Sequence, residues 1–217
     1  MKRNTFLAVI AVSLILASCK KESSTPTTTP TTPTTTVTPT GTNINSSPQF
    51  TGTVNGTNFS FINGSGYTSN VSSSKQLGGS SATANYAEYQ SSIFDSPTST
   101  KGIGIWKGTI TFTLSSSTPD TASFDAFFPL TTCAYSLNYT NGIEVDWVDA
   151  SGVEWTTSQG TGSQTGSKFT IIAKQVLTSF GTQNVKVMIN FNCTLYNTSG
   201  GSMPLTNGVY IGYFEND

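Results

Sequence analysis

Lys186-Val187-Met188-Ile189-Asn190-Phe191-Asn192-Cys193-Thr194-Leu195 alternates polar and apolar side chains, with Met188 the one apolar residue in the outer set. Successive side chains of a strand point to opposite faces, so Val187, Ile189, Phe191, Cys193 and Leu195 read as one core-facing row. Thr109-Ile110-Thr111-Phe112-Thr113-Leu114 repeats the pattern. Turn signals cut the chain between such runs. Val54-Asn55-Gly56-Thr57 and Tyr139-Thr140-Asn141-Gly142-Ile143 each hold an Asn-Gly step, a strong hairpin cue. Asp149-Ala150-Ser151-Gly152-Val153 is another turn. Ser179-Phe180-Gly181-Thr182-Gln183 separates two long strands, and Thr206-Asn207-Gly208-Val209 precedes the last one.

The resulting strands are predicted over 50–54, 58–62, 103–114, 134–139, 143–149, 154–156, 169–176, 185–196 and 208–214. About nine short strands in one domain argue for an all-β fold, an antiparallel β-sandwich with barrel-like or jelly-roll closure as its variants. At most one or two short helices fit beside them. Thr118-Pro119 reads as a cap followed by proline at the first helical position. Phe124, Phe127 and Phe128 then stand at helical spacing before Pro129, enough to cover a sheet end with rings. Residues 82–93 suit either type: Tyr86, Tyr89 and Ile93 have helical spacing, while Tyr86-Ala87-Glu88-Tyr89 opens a strand. Residues 65–81 carry little apolar matter and read as a long loop.

The N-terminus says where such a domain works. Lys2 and Arg3 precede an apolar run from Phe6 to Leu16, and Leu16-Ala17-Ser18-Cys19 closes it with small residues. This order is that of a secretory signal. The uncharged segment 4–18 is about 15 residues, short of the roughly 20 that cross a bilayer. Residues 1–18 are therefore the signal peptide, 19–48 a tether and 49–217 the domain. In the tether, Pro26, Pro30, Pro33 and Pro39 punctuate a Thr/Ser/Asn run with almost nothing apolar to bury. It reads as a spacer reaching about 80 Å if fully extended, or as an O-glycosylated stalk.

Chemistry is sparse. Histidine is absent and Arg3 is the only arginine, which removes the commonest general base, the commonest zinc ligand and any guanidinium clamp. Leu77-Gly78-Gly79-Ser80 lacks the lysine of a phosphate loop. No cofactor and no metal is called for. Ten basic residues less Lys2 and Arg3 leave eight against eleven acidic ones, so the exported chain is mildly acidic and no nucleic-acid partner is expected. The densest acids are Glu144, Asp146, Asp149 and Glu154. Glu144 and Asp146 alternate with Ile143, Val145 and Trp147, which reads as solvated outer-face positions; a calcium contact or a glycosidase pair are the sharper alternatives. For sugar recognition the tryptophans matter. Trp106 shares a face with Gly104, Gly108, Ile110 and Phe112, and Trp147 with Ile143 and Val145, so both read as core. Trp155 is the best exposed platform, with Glu154, Thr156, Thr157 and Gln159 as polar neighbours and Tyr210 and Tyr213 as weaker rings. Cys133 and Cys193 both point inward by alternation, and in an oxidising compartment such a pair often bridges. Closing that loop of about 60 residues would stabilise the domain by about 4 kcal/mol.

Leu16-Ala17-Ser18-Cys19 resembles the lipobox of bacterial lipoproteins. The resemblance implies cleavage before Cys19 and lipidation of that cysteine, palmitate included. Lys20, Lys21 and Glu22 resemble the export signal of surface-exposed lipoproteins in the Bacteroidota. The opening Gly52-Thr53-Val54-Asn55-Gly56-Thr57-Asn58-Phe59 and the closing Leu205-Thr206-Asn207-Gly208-Val209-Tyr210 are similar to those of Bacteroidota cell-envelope lipoproteins of unassigned activity with a single all-β domain. What this implies is a lipid-anchored protein of the outer membrane, on its surface or its periplasmic side, acting as a non-enzymatic binding or structural module. Its partners would be the membrane, through the lipid, and a glycan or an envelope protein. A carbohydrate-binding role is the main alternative, and a carboxylate-dependent glycoside hydrolase the lesser one. Cys19→Ser is expected to move the protein out of the membrane fraction. Retention after a high-salt wash would sink the anchor, because an acidic chain has no electrostatic hold on an anionic surface.

Overall fold

A computed structural model describes residues 42–76, 84–96, 98, 100–136, 142–160, 162–179 and 181–217. The signal segment, Cys19, the tether up to residue 41 and most of the second Asn-Gly turn lie outside the described residues.

The alternating stretch 186–195 lies in the central strand of the sheet. Strands β1 (Gln49–Val54) and β2 (Thr57–Ile62) form the first hairpin. Its turn residues Asn55 and Gly56 have φ of 47° and 80°, the left-handed pair that a two-residue hairpin turn requires. Strands β3 (Tyr67–Gln76), β4 (Asn85–Asp95) and β5 (Gly102–Phe112) follow as a meander. Helix α1 (Thr121–Ala126) and the short β6 (Thr132–Cys133) precede β7 (Gly142–Val148) and β8 (Glu154–Thr156). The long strands β9 (Lys168–Ser179), β10 (Thr182–Tyr196) and β11 (Ser202–Asn216) complete the chain.

Among the described residues eleven strands make one sheet in the order β2-β1-β11-β10-β8-β7-β5-β4-β3, with β9 beside β10 and β6 beside β9. All these strand pairs are antiparallel. The two ends of the sheet meet at a bridge between Asn63 and Tyr67. Across the interior β4 touches β11, where the hydroxyls of Ser91 and Tyr210 lie 2.8 Å apart and the Tyr89 hydroxyl donates to Asn216 Oδ1 at 3.2 Å. The sheet is thus a flattened, nearly closed barrel: an all-β, antiparallel, sandwich-like fold of two facing layers.

The inward row of β10 is buried throughout, from Val185 through Val187, Ile189, Phe191 and Cys193 to Leu195. Rings fill the core at two places. Trp147 stacks on Phe61 at 5.5 Å and meets Phe59 edge-on at 4.8 Å, with Phe50 at 6.0 Å. Elsewhere α1 supplies the rings expected of it: Phe124 lies edge-on to Tyr89 at 4.8 Å, and Phe128 lies 4.8 Å from Phe214. The helix starts two residues later than Thr118-Pro119 suggests, because Asp120 is the cap and accepts from the Ser123 N–H at 2.9 Å.

Residues 42–48 lie against the domain. Ile44 packs on Met188, Val209 and Ile211, which form a small second core on the outer side of β10 and β11. The ammonium of Lys186 donates to the Ser46 carbonyl at 2.8 Å. Met188, the exception to the alternation, is apolar because this strap covers it.

Two further expectations change, and one open alternative is decided. Residues 67–76, read as loop, form β3, paired residue for residue with β4. As a terminal strand of the sheet it buries little, so Ser, Thr and Asn suffice. Residues 85–95 are strand, with Tyr86 exposed and Tyr89 and Ile93 buried. Asn207-Gly208 is no turn before a last strand but an irregularity inside the long β11, where Asn207 takes φ 53° and the register against β10 shifts.

The cysteine bridge is not formed: both thiols are free. Cys133 stands opposite Phe169 of β9, and Phe169 stands opposite Phe191 of β10. Two strand spacings, about 9–10 Å, therefore separate Cys133 from the strand that carries Cys193. A disulfide needs Cα atoms within about 7 Å. Cys193 instead hydrogen-bonds with the Tyr135 hydroxyl, and Cys133 lies near Lys107. Unfolding the protein without reductant is expected to expose two thiols per domain to a thiol reagent; none reacting would restore the bridge.

Candidate functional site

On β5 the buried Ile103, Ile105 and Lys107 face the interior, Lys107 with its ammonium 4.0 Å from the Phe127 ring. Trp106 and Gly104 therefore face outward. Carrying the alternation back from Ile110 and Phe112 puts Trp106 inside, and this is where the sequence reading fails. Lys107 and Ile110 are both buried on the inner side, three residues apart, so the alternation slips by one between them. The β4 register shifts at the same level, between Ala87 and Tyr89.

The outer face so formed is polar. Trp106 has Gln90 of β4 directly opposite on one side and Glu144 of β7 on the other. One row along, Gly104 stands between Ser92 and Asp146, and Asp146 faces Thr156 of β8. The hydroxyl of Ser72 donates to Gln90 Oε1 at 3.0 Å, which leaves the amide NH2 toward Gly104. Gln90 Nε2 and Asp146 Oδ2 then converge over Gly104, 3.0 and 3.6 Å from where a Cβ would stand. A side chain at 104 would push them apart.

Glu144 and Asp146 are not the solvated pair expected: they are only 2% and 7% exposed. The Trp106 indole N–H donates to Asp146, and Asp146 is within hydrogen-bonding reach of the Glu144 carboxyl. Glu144 Oε2 and Asp146 Oδ1 are buried without a hydrogen-bond partner. Burial pushes the Asp146 carboxyl well above the usual range, and the charge of Glu144, the bond shared with it and the charge of Glu154 push the same way; the Trp106 donor opposes them. Glu88 is raised by burial and by Glu144, against a hydrogen bond from Thr109 at 3.4 Å. Two carboxyls this close cannot both ionise cheaply, so the pair keeps a proton that an isolated carboxyl would lose. Among the described residues no three acidic or thiol groups converge to hold a metal ion.

The other residues singled out fall elsewhere. Trp155 pairs with Trp147 on the inner face, packs half-buried against the core, and donates its indole N–H to Asp149 Oδ2 at 3.0 Å. Glu154 is exposed and, by alternation, on the opposite face from Trp155. The Gln159 N–H donates to Thr156 Oγ1 at 3.1 Å, while its own Oε1 is buried and unpartnered. Trp147 is core, as expected; Tyr210 is buried, and Tyr213 lies 5.1 Å from the Lys186 ammonium. The signal for Trp106 was its setting of Gly102, Gly104 and Gly108, a face with no core-sized companions near it. No family model, curated protein or solved structure matches the chain.

The acidic pair has a consequence for stability. The folded-state pKa of Asp146 lies above its unfolded value of 3.8. Stability from the protonated pair is therefore full below the ordinary carboxylate range and is lost as pH rises through it toward the folded value. Asp146→Asn keeps a neutral group there. It is expected to flatten urea-unfolding stability between about pH 4 and 9, and to exceed the parent by on the order of 1–3 kcal/mol at the alkaline end. Identical pH slopes for parent and variant would refute the shared proton.

Proposed function

We propose that this protein is a lipid-anchored lipoprotein of the outer membrane whose outer β4–β8 face binds a glycan without cleaving it. The observation that carries this reading is Trp106: a half-buried indole on a rigid sheet, between an oriented amide and a run of carboxylates. Sugars offer flat C–H faces that stack on such a ring and hydroxyls that donate to carboxylates and accept from an amide NH2. Sites built on strands hold that geometry better than sites on loops. The lipobox and the Thr/Pro tether support the envelope location.

Glycoside hydrolysis is the weaker reading. Its two carboxyls stand about 5–5.5 Å apart in retaining enzymes and about 6.5–9.5 Å in inverting ones. Glu144 and Asp146 share a hydrogen bond instead, too close for a sugar carbon or an attacking water between them.

Trp106→Ala is expected to lower glycan affinity at least tenfold while shifting the melting temperature little, since the ring is outside the core. Trp155→Ala is expected to do the reverse, costing about 3 kcal/mol of stability through lost packing. Melting and glycan-array binding followed together decide it. A Trp106→Ala protein that binds every glycan the parent binds removes the site.

A further inference from the structure

We infer that the ligand of this face carries a free amine, as an amino sugar without its acetyl group does; this rests on the glycan reading above.

The electrostatics of the face are one-sided. Glu88 from β4, Glu144 and Asp146 from β7 and Glu154 from β8 all bear on it. The basic residue next in sequence to Trp106, Lys107, points into the core toward Phe127. The chain has no histidine and no arginine past Arg3 to bring an anionic sugar in. A neutral sugar meets the carboxylates only through hydroxyls, each with a single proton to donate. An ammonium has three donors and a full charge, so one group can serve both open acceptors, Glu144 Oε2 and Asp146 Oδ1. The indole N–H of Trp106 already serves Asp146, so the ammonium is needed only by the two oxygens left unpaired. Glu88, Gln90 and Trp106 are half-buried, so the face opens to solvent at their level.

Charge balance adds a signature. The charged groups bearing on Asp146 are all acidic, and the pair holds a proton when empty. An ammonium entering beside it favours the doubly ionised pair, so binding releases up to one proton to the buffer while the ligand keeps its own.

Calorimetry on the full-length lipoprotein in detergent tests this with three probes: a glucosamine hexamer, its fully N-acetylated counterpart, and cadaverine as a simple diamine. The amine hexamer is expected to bind at least tenfold more tightly than the acetylated one, with heats that depend on the buffer's ionisation enthalpy. Glu144→Gln or Asp146→Asn should erase the preference, and Trp106→Ala should weaken both oligomers. Acetylation changes the ligand alone, so the comparison holds even where a variant folds poorly. Equal affinity for the two hexamers overturns the amine and leaves glycan binding standing. Binding of cadaverine with neither hexamer supports amine recognition and withdraws the glycan. Binding of none of the three overturns both.

Discussion

The structure depends on one row of side chains. β10 is the strand with neighbours along nearly all of both edges: β11 on one, β9 and then β8 on the other. Its six inward residues from Val185 to Leu195 are each almost fully buried, and side chains of this kind stabilise a fold by roughly 1.5–3 kcal/mol apiece. Because β8 attaches only at Tyr196, β10 is also the hinge between the layers. The layer of β1, β2, β9 and β11 and the layer of β3, β4, β5 and β7 face each other because their inner rows share this one contact surface. Slipping β10 by one residue would put Lys186, Met188 and Asn190 into the core and expel Phe191, so the alternation fixes the register of everything attached to it.

Much of the fold was legible because this constraint is local. The Asn55-Gly56 hairpin, the short helix with its phenylalanines and the rows of β7 and β10 follow from turn chemistry and periodicity alone. What was illegible depends on partners far along the chain. β3 carries no apolar row because a terminal strand needs none, and nothing nearby distinguishes it from a loop. Met188 is apolar only because Ile44, more than a hundred residues earlier, lies over it. The inward alternation of Cys133 and Cys193 was a fair inference, yet β9 runs between their strands, and spacing along a chain does not reveal an intervening strand.

The candidate site was missed for a related reason. Glu144 and Asp146 were placed on the correct outer face, but the indole that donates to Asp146 reaches it only because a one-residue slip in β5 decides which way Trp106 points. Alternation is reliable until a bulge, and bulges gather where a sheet is asked to aim a side chain. Here the slip lets β5 serve both layers of chemistry, with Lys107 toward the core and Trp106 toward the carboxylates. Folding has no need of the result. Desolvating two adjacent carboxyls with open oxygens costs free energy that two threonines on an outer strand face would not. A stable fold keeps this pair, with its two unpaired oxygens, against the cost of desolvating it.

The two outer faces of the sandwich answer different needs. On the β10–β11 layer the last residues before β1 close the surface, with Ile44 over the small second core and Ser46 accepting from Lys186. The acidic face lies on the other layer, beyond β5 and β7. Facing layers turn their outer surfaces in opposite directions, so the chain arrives on the side of the domain away from Trp106. The strap occupies the outer surface of β10 and β11 rather than the face of Trp106, Glu144 and Asp146. Had residue 44 packed on β5 instead, the strap would have lain over Trp106 and the two buried carboxyls.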